Sequence, residues 1–260
     1  MIETIREAGY AGVEIAQHPE QFGSAKALYE LLRDYDNPDV EHRKELKLLG
    51  LAGGAISERI AFIEQLVDAE NRDLLARKGK IDRVIGNKRP YPYVYTDMWD
   101  NSGVTDATTK RWTFALHPHM FKPIQTASEA LKVLREHPEL RFLPDAAHLT
   151  IAGEDVIDVL KAAFEIQTRE EDSDQNAPNR FGPIIAIHLK DWTSEFGRSY
   201  QFYSRGFGVA FGQGEVKLDK IARFLVERGY NGWVVVEQDV VDDLVTAARG
   251  CRRWLQDKRI

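Results

Sequence analysis

Four short apolar runs end in a side chain that can bind a metal ion: FALH in His117, RFLPD in Asp145, IIAIH in His188 and WVVVE in Glu237. In a parallel βα barrel all strand C-termini meet at one face, so such residues converge although they are far apart in sequence. Two imidazoles, an aspartate and a glutamate form a mixed nitrogen and oxygen set. That set suits one divalent ion, such as Mn²⁺, Co²⁺, Zn²⁺, Fe²⁺ or Mg²⁺. Taken singly, a histidine or aspartate after a strand is more often a cap or a loop residue; the four together point to a site. Glu14 lies near the end of the first visible strand. It either faces the same mouth as a substrate-binding residue or is solvated or salt-bridged.

Further candidates flank these positions. His148 stands three residues past Asp145, and Lys190 two past His188. Lys190 either steadies an oxyanion or pairs with the adjacent Asp191, the second being slightly favoured. His119 follows His117 across a proline that ends the strand, so it is read as facing the substrate or as supporting the ligands from behind. Arg198 and Arg205 are candidates for an anionic group of the substrate, although an exposed loop arginine is the commoner case. Phe-Gly-Gln-Gly at 211–214 lacks the fingerprint of a dinucleotide or Walker site. No Gly-x-Ser-x-Gly elbow is present, and Cys251 lies in a terminal helix among arginines, which disfavours a nucleophilic hydrolase.

The elements that must position these groups are legible as alternating apolar runs and amphipathic stretches. Strands are expected at 12–16, 51–56, 92–97, 111–117, 140–145, 184–188 and 232–237. Several are continuous and rich in Val and Ile, as in strands covered on both faces. Helices are expected at 2–8, 25–34, 127–135, 155–168, 218–228 and 240–256, with Thr126 and Glu129 as a capping box and Gly229 as a helix terminator. The alternation predicts a single α/β domain over 1–260, a (βα)8 TIM-type barrel. With seven strands visible, the barrel is expected to lack its first strand, which would precede Met1. The charged stretch 71–89 resists assignment. Segment 170–180 (EEDSDQNAPNR) reads as a surface insertion, and 197–214 as a lid-like loop of glycines and aromatics.

Composition narrows the function classes. The 260 residues carry 35 Lys+Arg against 41 Asp+Glu, a net charge of −6, which argues against nucleic acid as a partner. No run of about 18 apolar residues exists, so no membrane span is expected. The N-terminus lacks an apolar signal core, so the chain is expected to be cytoplasmic. A lone cysteine excludes an internal disulfide and a Cys-rich zinc module. A homo-oligomer is compatible with all of this.

The segments IREAGYAGVEI, ALHPHMFKPIQT, LPDAAHLTIAGEDV, IIAIHLKDW and GQGEVKLDKIARFLVERGYNGWVVVEQD resemble the xylose isomerase-like TIM-barrel superfamily. HPHM and HLKD are most similar to its inosose dehydratase-like branch. The resemblance is strong over 112–239 and 9–15 and weak over 17–100. It implies a metal site of Glu, Asp, His and a final Glu from four strands. Asp145, His188 and Glu237 match the last three. The first position falls near His117, with His119 or Gln125 as alternatives. The superfamily's isomerases and epimerases use two metal-bound glutamates, and only Glu237 is kept here. The resemblance therefore favours a dehydratase-like lyase, or an isomerase or epimerase, on a keto-sugar or keto-inositol. The ion would acidify a C–H beside the carbonyl, Glu237 or His148 would take the proton, and Lys190 would steady the enolate oxygen. The alternative is a non-catalytic barrel that binds a sugar or regulates.

Overall fold

The computed structural model describes residues 1–15, 19–33, 46–51, 56–78, 93–96, 113–166 and 182–260. They fall into two compact units, one of the described residues up to 96 with 113–114 and one of those from 115 to 260. The expected insertion at 170–180 lies outside the described residues. Seven strands occur among those described, each pairing in parallel with its neighbours wherever pairing is recorded.

In the N-terminal unit, helix α1 (Ile2–Glu7) leads into β1 (Gly12–Ile15), which pairs with β2 (Lys47–Leu51). Strand β2 pairs in turn with β3 (Tyr93–Thr96). Helix α2 (Ala25–Arg33) buries Leu28, Tyr29 and Leu32, the i and i+4 stripe that an amphipathic helix turns to a core. The strand expected at 51–56 is displaced. Leu51 ends it, the apolar Leu48 and Leu49 before it are buried, and Ile56 opens helix α3 (Ile56–Lys78). Pairing decided the choice: a Cβ on Gly50 would stand 2.5 Å from the Tyr93 ring, so only a glycine lets β2 and β3 close here. The first part of the charged 71–89 stretch is the end of α3. Its Arg, Leu and Ala are strong helix formers, which explains why a polar stretch continues a helix.

In the C-terminal unit, β4 (Phe114–Leu116) pairs with β5 (Arg141–Phe142), and β6 (Ala186–Leu189) with β7 (Trp233–Val236). Bridges Phe142↔Ile184 and Asp145↔His188 join β5 to β6. Helices α4 (Ala127–Glu136), α5 (Ala146–Ile151), α6 (Val156–Phe164), α7 (Leu218–Glu227) and α8 (Leu244–Lys258) follow the strands. Phe114, Leu116, Phe142, Leu143, Ile187 and Leu189 are buried among them. Helix α5 is absent from the sequence reading, and His188 lies inside β6 rather than at its end.

Helix starts follow side-chain chemistry. Asp155 caps α6 through the N–H groups of Ile157 and Asp158, and Asp243 caps α8, which starts later than position 240. Gly229, at φ 60°, follows the end of α7 as expected. The Thr126–Glu129 capping box is present, with Thr126 Oγ1 accepting from Glu129 N at 3.3 Å and Glu129 Oε2 from Thr126 N at 2.9 Å. Thr126→Ala is therefore expected to lower stability by about 0.5–2 kcal/mol. Urea unfolding should show a lower midpoint at unchanged slope.

Candidate functional site

Asp145 sits where the extended chain leaves β5, bridged to His188, and becomes the N-cap of α5. Its Oδ1 accepts from Ala147 N at 2.7 Å and His148 N at 2.9 Å. Its Oδ2 is buried with no hydrogen-bond partner. A carboxylate oxygen left so inside a protein is costly unless a cation meets it.

The neighbouring groups offer to hold such a cation. His117, directly after β4, donates from Nδ1 to the Leu143 carbonyl at 3.1 Å. That bond fixes the ring and its tautomer and makes Nε2 the ligand nitrogen, the usual arrangement for a metal-binding histidine. Burial, with His188 beside it, pushes the His117 imidazole down to about 3, so it is neutral, as a ligand must be. His188 Nδ1 lies 3.1 Å from Glu237 Oε2 and 3.9 Å from Asp145 Oδ2. Glu237 is placed by β7 and by its own N–H, which donates to the Leu189 carbonyl at 3.1 Å. Two groups, His117–Asp145–His148 and Asp145–His188–Glu237, each bring one ligand atom per residue within 4.8 Å of the others. Asp145 is common to both groups, the other strand-end residues are divided between them, and each group offers a mixed nitrogen and oxygen set of the kind a divalent ion takes. His148 joins the first group as well. Its ring centre lies 3.8 Å from that of His119, the planes tilted by 37°, and its Nδ1 is buried without a hydrogen-bond partner. Burial and His119 hold it well below the ordinary histidine value.

Lys190 corrects one expectation. It does not pair with Asp191; its Nζ lies 2.6 Å from Glu237 Oε1 and 3.0 Å from Asp239 Oδ2. Successive side chains of an extended chain point to opposite faces, so adjacent residues seldom meet. Asp191 instead accepts from the backbone N–H groups of Trp192, Gly212, Gly214 and Val216 at 2.8–3.3 Å. Burial works against the Lys190 charge, but Glu237, Asp145 and Asp239 outweigh it and hold the ammonium above the ordinary lysine range. Burial likewise works to raise Glu237, yet Lys190 and His188 hold its carboxyl well below the usual carboxylate range. Asp239 was missed in the sequence; its only signal is a second carboxylate two residues past Glu237.

One tight turn, Ser194–Phe196, precedes the lid-like loop and another, Tyr203–Gly208, lies within it. Trp192 Nε1 donates to the Tyr203 carbonyl at 2.8 Å, and Thr193 N to Gly206 O at 3.2 Å. A Cβ on Gly206 would meet Thr193 O at 2.3 Å, which explains that glycine. The turn brings Phe207 under Lys190, whose Nζ is 4.4 Å from the ring centre. Arg198 and Arg205 are engaged within this region, Arg198 with Glu215 at 3.6 Å and over the Trp192 ring, Arg205 over Phe202. Glu14, in the N-terminal unit, accepts a hydrogen bond from the Tyr93 hydroxyl. His119 Nδ1 lies 2.9 Å from the Met120 carbonyl. Gln125, an alternative ligand by sequence, accepts from Phe121 N at 2.8 Å and braces a turn. No helix among the described residues is long and apolar enough to cross a membrane.

The family model described as Xylose isomerase-like TIM barrel matches residues 2–258. Two inosose dehydratases of Clostridium botulinum, from strains Eklund 17B / Type B and Alaska E43 / Type E3, are each 26% identical over 166 residues, covering 58% of this chain and 50% of theirs. The chain spans about half the length of the curated relatives it matches. Among solved structures, IolI with a bound zinc atom aligns over 99% of this chain and 90% of its own, with TM-score 0.54 and 16% identity. The probable 3-DHS dehydratase AsbF of Bacillus anthracis aligns over 98% and 92%, with TM-score 0.56 and 15% identity. D-psicose 3-epimerase of Clostridium cellulolyticum H10 aligns over 99% and 91%, with TM-score 0.55 and 18% identity. At these identities the structural likeness is one of fold.

Proposed function

This chain belongs to the xylose isomerase-like TIM-barrel family, and from that premise we propose that it is a metal-dependent lyase of the dehydratase type acting on a keto-inositol or keto-sugar. The observation that carries the reading is Asp145 Oδ2, buried without a hydrogen bond among histidines and Glu237. His117, Asp145, His188 and Glu237 would hold the ion. When bound, a divalent ion supplies Lewis-acid polarisation of a carbonyl and its neighbouring hydroxyl, which acidifies the C–H beside them. The base for that proton is His148, whose buried Nδ1 has no hydrogen-bond partner, or Glu237 beside it. Lys190 keeps its positive charge and steadies the enolate oxygen. His119, its ring against that of His148, faces the substrate beside it. Loss of the hydroxyl from the next carbon as water, carrying off the proton the base took, completes a dehydration; return of that proton to the neighbouring carbon, or to the opposite face, would instead complete an isomerisation or an epimerisation.

One observation favours a different reading. The Lys190 ammonium already compensates Glu237 and Asp239, as it would in a barrel that binds a sugar without metal or turnover. Elemental analysis of dialysed protein, after reloading with Mn²⁺, Co²⁺ and Zn²⁺, separates the two. One equivalent of metal, with turnover of a keto-inositol or keto-sugar, is expected. No stoichiometric uptake of any of the three would make the sugar-binding barrel the better account.

A further inference from the structure

Phe121 is the one described non-glycine residue, apart from Arg259 at the C-terminal end, with a positive φ, at 62°. An aromatic residue in this left-handed region is a true outlier. Such strain persists only where the surroundings hold it, and it gathers at ligand clamps and active sites. The strained backbone presents a ring that is 38% exposed, against the rule that large apolar groups seek the core. That ring meets Tyr203 at 5.0 Å and Tyr200, itself 71% exposed, at 5.5 Å. The cluster continues inward. Tyr203 meets the buried Phe207 at 5.8 Å, and Phe207 meets both His148, at 5.4 Å, and the Lys190 ammonium, at 4.4 Å. An aromatic stair therefore runs from solvent to the base and the cation of the site.

We infer that Phe121, Tyr200 and Tyr203 form a stacking subsite for the C–H face of a cyclic polyol, so that the site selects a ring over an open-chain ketose. This rests on the proposed function for the carbonyl chemistry, which it deepens by naming the ring as the recognised feature. A cyclic polyol turns its hydroxyls outward around the rim and leaves apolar C–H faces. Aromatic platforms match such faces, and the few convergent polar groups of the site then orient the rim. An open-chain ketose offers the same carbonyl and hydroxyls but no face to stack. The strain at Phe121 is the structural expense of holding the outer ring against Tyr200 and Tyr203.

The test compares wild type with Phe121→Asn and Tyr200→Ala in Zn²⁺-loaded and metal-free protein. Asn tolerates the left-handed conformation, so Phe121→Asn should not lower the unfolding temperature. Calorimetric titration uses two probes, 2-keto-myo-inositol as the ring and erythrulose, a ketose too short to close one. Wild type should bind the ring at least about tenfold more tightly. Each variant should lose roughly fivefold to tenfold in ring affinity, the size of a lost aromatic contact, and keep its erythrulose affinity and zinc content. Equal losses for both probes, unchanged ring affinity, or binding of neither probe by wild type overturns the inference. Ring selectivity that persists in metal-free protein upholds the subsite even if zinc uptake fails, so the two readings fail separately.

Discussion

Asp145→Asn should abolish stoichiometric metal uptake and leave the fold almost intact. The residue has two duties, one for each oxygen. Oδ1 caps helix α5 by accepting from Ala147 and His148 N–H groups. Oδ2 is the buried oxygen without a partner. Asparagine caps a helix as well as aspartate does. It therefore preserves the first duty while removing the charge that would attract the ion. Asp145→Ala removes both, and should unfold at a further loss of about 1 kcal/mol. His117→Ala should reduce occupancy less than either, since it deletes a neutral ligand and leaves both carboxylates. Elemental analysis of the three variants, with urea unfolding alongside, checks the ranking. Metal content in Asp145→Asn equal to wild type would exclude Asp145 as a ligand and with it the proposed centre.

How far the sequence reached is clear from particular residues. His117, Asp145 and Glu237 were legible because each is a polar residue directly beyond an apolar run, and such boundaries mark where a strand leaves a core. His188 was found by the same signal although it lies within β6, because the run continues through Leu189. Asp145–Ala–Ala–His148 was read as a pair, but helix α5 was not, since six residues, AAHLTI, are too few to show a helical period. In KLLGLAGGAI the strand was expected over 51–56, whereas it runs over Lys47–Leu51. The Tyr93 ring over Gly50, a contact 43 positions away in the chain, favours the earlier window and is invisible to local pattern. The partners of Lys190 were out of reach for the same reason. Local spacing suggested Asp191, whereas the β6–β7 register His188↔Val235 and Leu189↔Val236 brings Glu237 and Asp239 to the lysine instead.

Lys190→Met should destabilise the protein by about 3 kcal/mol, the largest loss expected of any single site change here. The ammonium is 2% exposed and lies between Glu237 and Asp239, with Asp145 adding to its field. Methionine replaces the stem but not the charge, so two carboxylates lose their shared cation. Breaking a buried pair from one side costs about 3–5 kcal/mol, because the surviving charge stays desolvated. The low end applies, since the Glu237 and Asp239 side chains remain 31% and 41% exposed. The pH dependence has a defined sign. In wild type the Lys190 value is raised above its ordinary 10.5, so its stabilisation is complete below that pH and fades as pH rises beyond it. In Lys190→Met the defect is carboxylate repulsion, which protonation relieves, so the gap to wild type should narrow as pH falls through the carboxylate range. Urea unfolding of metal-free protein at a series of pH values measures both trends. A gap under 1 kcal/mol at neutral pH, or one that widens in acid, would mean that Lys190 does not neutralise these carboxylates.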